Sequence, residues 1–508
     1  MSISARNNMK RPALSARRWL GLGLALSTAI LVTGCEVGPD FAPPVAPAAT
    51  HYTSGEDPAN TVAADGVTQH FSTAAAVPSD WWRLFNSPKL DAAVLQGLAG
   101  SPTIALAEAN LRQARDSLRA GQGVFYPQID GAAGASRQRP SHSASPANLS
   151  EGTYNLFTLS ASVSYTLDIF GGEQRAVEVL EATANYQQNV ARAASLTLIS
   201  NIANAVIANA AYDAEIKATE EIIGFERQQV RLASAQSTAG TMPYADMLVL
   251  ESQLEASEAL LPPLRQKLVL GEDLLSVLMG RLPSEAQLPK IEFAELSLPR
   301  AMPLSIPSAL VRQRPDILQA EASLHAASAG IGVATAAMLP NLSLTGAFGS
   351  SSTTGAGMFT PSSVLWSLGA GVVQPIFHGG TLWYQREAAK DAFDASAASY
   401  RQIVLVAFGQ VADTLRALEH DAEALAAEDR AVRTASHALL LMQANYTAGL
   451  ATYVSLLLAD IQYHDARIAE IGARATRYQD SVALFAALGG GWWNDAGPPE
   501  PAKSPSIF

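Results

Sequence analysis

EQRAVEVLEATANYQQNVARAASLTLISNIANAVIANAAYDAEIKATEEIIGFERQQVRLASAQST, residues 173–238, contains no proline and only one glycine, Gly224. Alanine dominates it, and Glu, Gln, Arg and Leu, all strong helix formers, fill much of the rest. Within it, Val190-Ala-Arg-Ala-Ala-Ser-Leu-Thr-Leu-Ile-Ser-Asn-Ile202 places apolar groups at helical spacing, as a helix packed along its length requires. At ~1.5 Å per residue such a helix is roughly 100 Å long, more than a compact domain accommodates. A second rod follows over residues 381–448, again without proline and interrupted only by Gly409. These two rods predict a mainly α protein, and the rest of the chain reads as attached to them.

Working outward, the chain repeats itself once. Ser101-Pro-Thr-Ile-Ala-Leu-Ala-Glu-Ala-Asn-Leu111 matches Arg314-Pro-Asp-Ile-Leu-Gln-Ala-Glu-Ala-Ser-Leu324. Gly171-Gly172 matches Gly379-Gly380, Thr238-Ala-Gly240 matches Thr447-Ala-Gly449, and Gly280 matches Gly489, all at a nearly constant offset. Each repeat has one plan: a first helix, two strands, the long rod, a tight turn and a returning helix. Pro262-Pro263 should break the first returning helix. Between the repeats Pro283, Pro289, Pro299, Pro303, Pro307 and Pro315 exclude a long helix.

The strands carry a different period. Phe157, Leu159, Ala161, Val163, Tyr165 and Leu167 alternate with Thr158, Ser160, Ser162, Ser164, Thr166 and Asp168. Leu342, Leu344 and Phe348 alternate with Asn341, Ser343 and Thr345, and Trp366, Leu368, Ala370 and Val372 form a further candidate. One apolar and one polar face suit a strand crossing a bilayer, with lipid on one side and water on the other. Tyr154, Tyr165, Phe170, Trp366 and Phe377 could supply interfacial aromatics. Four strands cannot close a barrel, and a membrane tolerates no open sheet edge, so the chain must oligomerise. Two copies would give eight strands and three would give twelve, and counting does not choose between them.

The N-terminal segment carries Arg6, Lys10, Arg11, Arg17 and Arg18 ahead of the apolar run from Trp19 to Val32. That run is shorter than the ~20 residues of a membrane span and has the order of a secretory signal. It ends Val32-Thr-Gly-Cys35, like a bacterial lipoprotein processing box, which predicts removal of residues 1–34 and lipidation of Cys35. Cys35 is the sole cysteine of the 508 residues, so neither an intrachain disulfide nor a thiolate metal cluster can form. From Glu36 to Ser79 the chain is rich in Pro, Ala, Thr and Ser and reads as an extended tether, with order resuming at Trp81. The net charge of −12 argues against a nucleic-acid partner and suits a solvated surface or a cation-favouring lumen. The 8 histidines are scattered without ligand spacing, so no catalytic site, metal site or cofactor is expected. Gly330-Ile-Gly332 and Gly369-Ala-Gly371 lack the context of a phosphate loop.

Several motifs together resemble the outer membrane factor family of tripartite efflux systems, in its TolC-like, NodT-type lipoprotein branch. They are Cys35-Glu-Val-Gly-Pro-Asp40, Trp81-Trp-Arg-Leu-Phe85, Leu310-Val-Arg-Gln-Arg-Pro-Asp-Ile317, Gln374-Pro-Ile-Phe-His-Gly-Gly380, Ala448-Gly-Leu-Ala-Thr-Tyr453 and Leu488-Gly-Gly-Gly-Trp492. The resemblance implies a homotrimer whose twelve-stranded β-barrel in the outer membrane continues into a twelve-helix periplasmic α-barrel. It implies a passive exit duct for small molecules, served by a periplasmic adaptor and an inner-membrane, proton-driven pump. It implies a lipid-anchored outer membrane protein with a long periplasmic extension, and no enzyme. The domains expected are the signal peptide (1–34), an acylated tether (35–80), the first repeat (81–282), an equatorial segment (283–313), the second repeat (314–491) and a tail (492–508).

On this reading Gly240, Thr241, Gly449 and Leu450 form the helix-turn tips where the adaptor docks. Tyr244, Asp246 and Tyr453 are gate candidates just beyond them. Ala451, Ser455 and Leu458 stand where the TolC pattern has an arginine and aspartates, so a gate held by that constellation is not expected. Phe157, Leu159, Val163, Tyr165, Leu342, Leu344, Trp366 and Leu368 are the expected lipid-facing residues. Competing readings are an exporter of a protein secretion system and a non-conducting scaffold lipoprotein. Lipid-facing strands argue against the scaffold.

Overall fold

The computed structural model describes residues 36–73, 75–139, 152–285, 288 and 290–494. The expected signal peptide, Cys35 and the residues beyond Asn494 lie outside them. Ser87 caps α1 (Pro88–Gly100), its hydroxyl accepting from the Leu90 N–H at 3.3 Å. The helix stops at Ser101, whose extended backbone (φ −70°, ψ 123°) is what a following proline favours. A second helix, α2 (Pro102–Gly121), begins at that proline. The single first helix expected is therefore two. The same break recurs at Arg314 (φ −80°, ψ 124°) before Pro315, where α6 (Pro307–Gln313) gives way to α7 (Pro315–Ala336).

The rods are α3 (Gly172–Thr238) and α8 (Thr381–Thr447), each 67 residues long and unbroken. The first return is split into α4 (Tyr244–Glu258) and α5 (Leu261–Leu278), with Pro262 in the first turn of α5, where its missing N–H costs nothing. The second return, α9 (Tyr453–Ala487), has no proline and runs uninterrupted.

Contacts divide the chain into two units. The first comprises residues 1–42, 116–182 and 325–395 and holds the main sheet. Its strands are β2 (Gln128–Gln138), β3 (Tyr154–Leu167), β5 (Asn341–Ser352) and β6 (Val364–Val373), in spatial order β2-β3-β5-β6 and antiparallel throughout. Also in this unit, the Val37 N–H donates to the Phe170 carbonyl at 3.0 Å. The buried Arg175 guanidinium pairs with Glu36 at 3.1 Å, Asp40 at 2.6 Å and Glu178 at 2.7 Å. Phe41 stacks on His325 at 4.4 Å.

The second unit comprises residues 43–115, 183–324 and 396–508. Trp81 and Phe485 stack at 5.2 Å in its core, among Phe85, Leu90, Ile202, Val206, Leu310, Leu415 and Val482. Each such side chain contributes about 1.5–3 kcal/mol through burial. Here the tether reading is corrected, because order begins well before Trp81. Arg477 is 1% exposed and donates to Thr61 Oγ1 at 3.2 Å, the carbonyls of Ala64 and Val67 at 3.1 Å each, and Gln69 Oε1 at 3.1 Å. A buried guanidinium needs such partners, and residues 61–69 supply them. β1 (His70–Ser72) then pairs in parallel with β4 (Ala301–Pro303), an ordered element inside the proline-rich segment.

Candidate functional site

The sheet has two chemically distinct faces, and the register fixes them. Val163 stands opposite Ile129 in β2 and Gly346 in β5. Leu159 stands opposite Ala133, Tyr165 opposite Leu344, and Leu167 opposite Leu342. Across the last ladder Leu342 meets Val372, Gly346 meets Leu368, and Phe348 meets Trp366. Because side chains alternate along a strand, all of these share one face. Leu159, Val163, Leu344, Trp366 and Leu368 are exposed there, and Phe157, Tyr165 and Leu342 are half-buried. The opposite face carries Thr158, Ser160, Ser162, Ser164, Ser343, Thr345 and Ser367, with Gly134, Gly349, Gly369 and Gly371 between them.

Two strands are expected in the first repeat, but the alternation in the sequence locates only β3 and not β2. Its run Gly131-Ala-Ala-Gly-Ala135 has too little side chain to alternate visibly, and only Ile129, 72% exposed, carries the signal. Among the described residues both β2 (11 residues) and β6 (10 residues) have a neighbour on one side only, so each presents a row of unpaired N–H and C=O groups.

The two rods end identically. Gly240 and Gly449 both have φ +74°, the left-handed conformation that only glycine adopts cheaply. The Thr241 N–H returns to the Gln236 carbonyl at 2.9 Å and the Gly240 N–H to Ser237 at 3.0 Å. The Leu450 N–H returns to Asn445 at 2.8 Å and the Gly449 N–H to Tyr446 at 3.0 Å. This is the six-to-one and five-to-two pattern of a Schellman cap. A Cβ on either glycine would meet nothing within 4 Å, so backbone conformation alone demands glycine.

The structure places the residues around these turns differently. Tyr244 and Asp246 open α4 and are exposed. Pro243, the residue before α4, offers no side-chain cap, and the Asp246 carboxylate lies in the first turn, where a negative charge is favoured. Thr241 donates its hydroxyl to the Gln236 carbonyl at 3.0 Å, and Leu450 is 80% exposed. Tyr453 is 8% exposed, among Ala233, Leu250, Met247 and Leu457, with the Tyr446 ring edge-on at 6.1 Å. Burial, then the charges of Asp460 and Glu226, push its phenol above the usual range. Tyr244 and Asp246 thus share a surface, while Tyr453 sits in a core between helices.

Among the described residues no group of three or more His, Cys, Asp or Glu is arranged to hold a metal. The profile of the family described as "Outer membrane efflux protein" matches residues 94–281 and 306–490. The chain is 28% identical over 483 residues to the probable efflux pump outer membrane protein TtgC of Pseudomonas putida, covering 94% of this chain and 96% of that protein. It is 30% identical over 434 residues to the pyoverdine export outer membrane protein OpmQ of the same organism, covering 84% and 91%. The solved outer-membrane channel OprN superposes with a TM-score of 0.82 at 25% identity, over 90% of this chain and 100% of that one.

Proposed function

The chain belongs to the outer membrane efflux protein family, and on that premise we propose that three copies close one conducting barrel. It is the outer membrane channel of a tripartite efflux system, and not an enzyme. Its partners are a periplasmic adaptor and an inner-membrane pump. The pump is proton-driven in this reading and the cargo consists of small molecules. The observation that carries the proposal is the pair of open edges on β2 and β6, flanking a sheet with an exposed apolar face. In hydrocarbon an unpaired backbone group costs several kcal/mol, so such edges must find partners. With four antiparallel strands, β6 of one copy meets β2 of the next antiparallel. Three copies give twelve strands.

In this reading the elements from α1 to α5 and from α7 to α9 belong to two tandem repeats, residues 81–282 and 314–491, joined by 283–313, which holds α6. The helices of three copies line a periplasmic extension. The turns at Gly240 and Gly449 are its far end, where Thr241 and Leu450 meet the adaptor and Tyr244, Asp246 and Tyr453 contribute to the gate. Cys35 carries the lipid. Supporting it, Glu36 and Asp40 pair with Arg175 and Val37 bonds to Phe170, which holds the chain beside the end of β3.

Inter-chain cross-linking tests the closure. Matching apolar faces requires even-numbered β6 residues to oppose odd-numbered β2 residues. Leu368→Cys combined in turn with Gly131→Cys, Ala133→Cys and Ala135→Cys should yield disulfide-linked dimers and trimers for at least one pairing. Monomers alone in every combination would refute the closure.

A further inference from the structure

Two carboxylic acids distant in sequence are buried in the second unit, each two helical turns from a residue of one shared core, Ala233 on α3 for Glu226 and Tyr453 on α9 for Asp460. Glu226 on α3 is 4% exposed and Asp460 on α9 is 2% exposed. Glu226 Oε1 accepts from Ser257 Oγ at 3.0 Å and Gln253 Nε2 at 3.4 Å, both on α4, while its Oε2 has no partner. Tyr453 lies two turns before Asp460 on the same face of α9, and its buried hydroxyl is also without a partner.

The charged and titratable groups of the surrounding helices leave this pair uncompensated. On α3, Arg227 is exposed and committed to Glu258 of α4 at 2.8 Å. On α8, Tyr446 faces Tyr453. On α9, His464 lies 3.7 Å from Asp465 through Nδ1, and its Nε2 is buried without a partner. Among the described residues no lysine or arginine pairs with Glu226 or Asp460. Burying two unpaired carboxylates costs several kcal/mol for each charge, so the site favours a neutral form.

We propose that Glu226 and Asp460 jointly bind one proton, and that this proton latches α3 and α4 to α9 behind the Gly240 and Gly449 turns. A protonated carboxyl is a donor, and the free Glu226 Oε2 is an acceptor that otherwise goes unmet. Burial, then the Glu226 charge, push the Asp460 carboxyl up to about 7. Burial also raises Glu226, opposed by its bonds from Ser257 and Gln253. A carboxyl raised in the folded state binds its proton more tightly there than in the opened state. Its contribution is therefore complete below about pH 4, declines as pH rises, and is lost above about pH 7. The latch is tight in acid and loose in alkali.

Hydrogen exchange on the intact full-length protein in detergent reads this packing whatever the protein conducts. Rates are corrected for intrinsic exchange and compared between about pH 5.5 and pH 8. Protection over residues 222–260 and 446–464 should fall by a factor approaching ten per pH unit up to about pH 7 and then level off. Core segments around Trp81 should not follow. Asp460→Asn, which can donate without ionising, should hold acid-level protection at alkaline pH. Should that variant fail to assemble, Glu226→Gln gives the second arm, and there the pH dependence should shift downward. Wild-type protection independent of pH, a slope shared with the Trp81 core, or a wild-type profile in the variant that assembles would overturn the proposal.

Discussion

Phe348 stands directly across from Trp366 in the β5–β6 ladder, and both rings lie on the open apolar face of the sheet, at 64% and 70% exposure. Cross-strand aromatic pairs contribute roughly 0.2–1 kcal/mol, too little to justify that exposure in water. Facing hydrocarbon, the same rings are well placed. Val163 shares their face, between Ile129 and Gly346, and Ser162 points the other way. Val163→Arg should destabilise the membrane-inserted protein by about 2–4 kcal/mol, and Ser162→Arg should be mild. Denaturant titration in lipid vesicles measures both. Equal effects at the two neighbours would contradict a lipid-facing sheet.

The glycines at the turns should separate conformation from contact. Gly449→Ala meets no atom and should cost about 1–2 kcal/mol from the left-handed backbone alone. Gly491 has φ +73° and lies against the carbonyls of Val77 and Pro78, so Gly491→Ala adds a clash with backbone to the same strain. Chemical denaturation should therefore rank Gly491→Ala as the more damaging.

Asp246 is exposed at the start of α4, so three copies would present a ring of carboxylates if it faces the lumen. Asp246→Asn should lower cation selectivity and weaken block by multivalent cations in planar bilayers. Stability should fall only by about 0.3–1 kcal/mol, the worth of a charge in a first helical turn. Selectivity unchanged by the substitution would eliminate the ring.

Cys35→Ala should abolish incorporation of labelled palmitate. The protein should remain in the membrane fraction, because an acyl chain is additional to a closed barrel. Label retained by this variant would refute the anchor.

The sequence made the two rods legible because helix-forming residues run there without proline, so propensity and packing agree over their whole length. β3 was legible for a similar reason, its large apolar and hydroxyl residues alternating without a fault from Phe157 to Leu167. β2 was not, since alanine and glycine on both faces erase the period. The fixed arm ahead of Trp81 was also hidden. Its composition is that of a loose tether, and the partners that give it order lie far away in sequence, the Arg477 guanidinium more than 400 residues on. Glu226 and Asp460 likewise looked like ordinary solvated acids, because burial by other helices leaves no mark on the neighbouring sequence.

The proposed closure rests on the edges of β2 and β6, which one copy leaves unpaired among the described residues and three copies would pair. Light scattering on the purified mature protein, with the detergent mass separated from the protein mass, tests it most directly. Three chains per particle are expected. A stable particle of one chain, or of two, would contradict the closure.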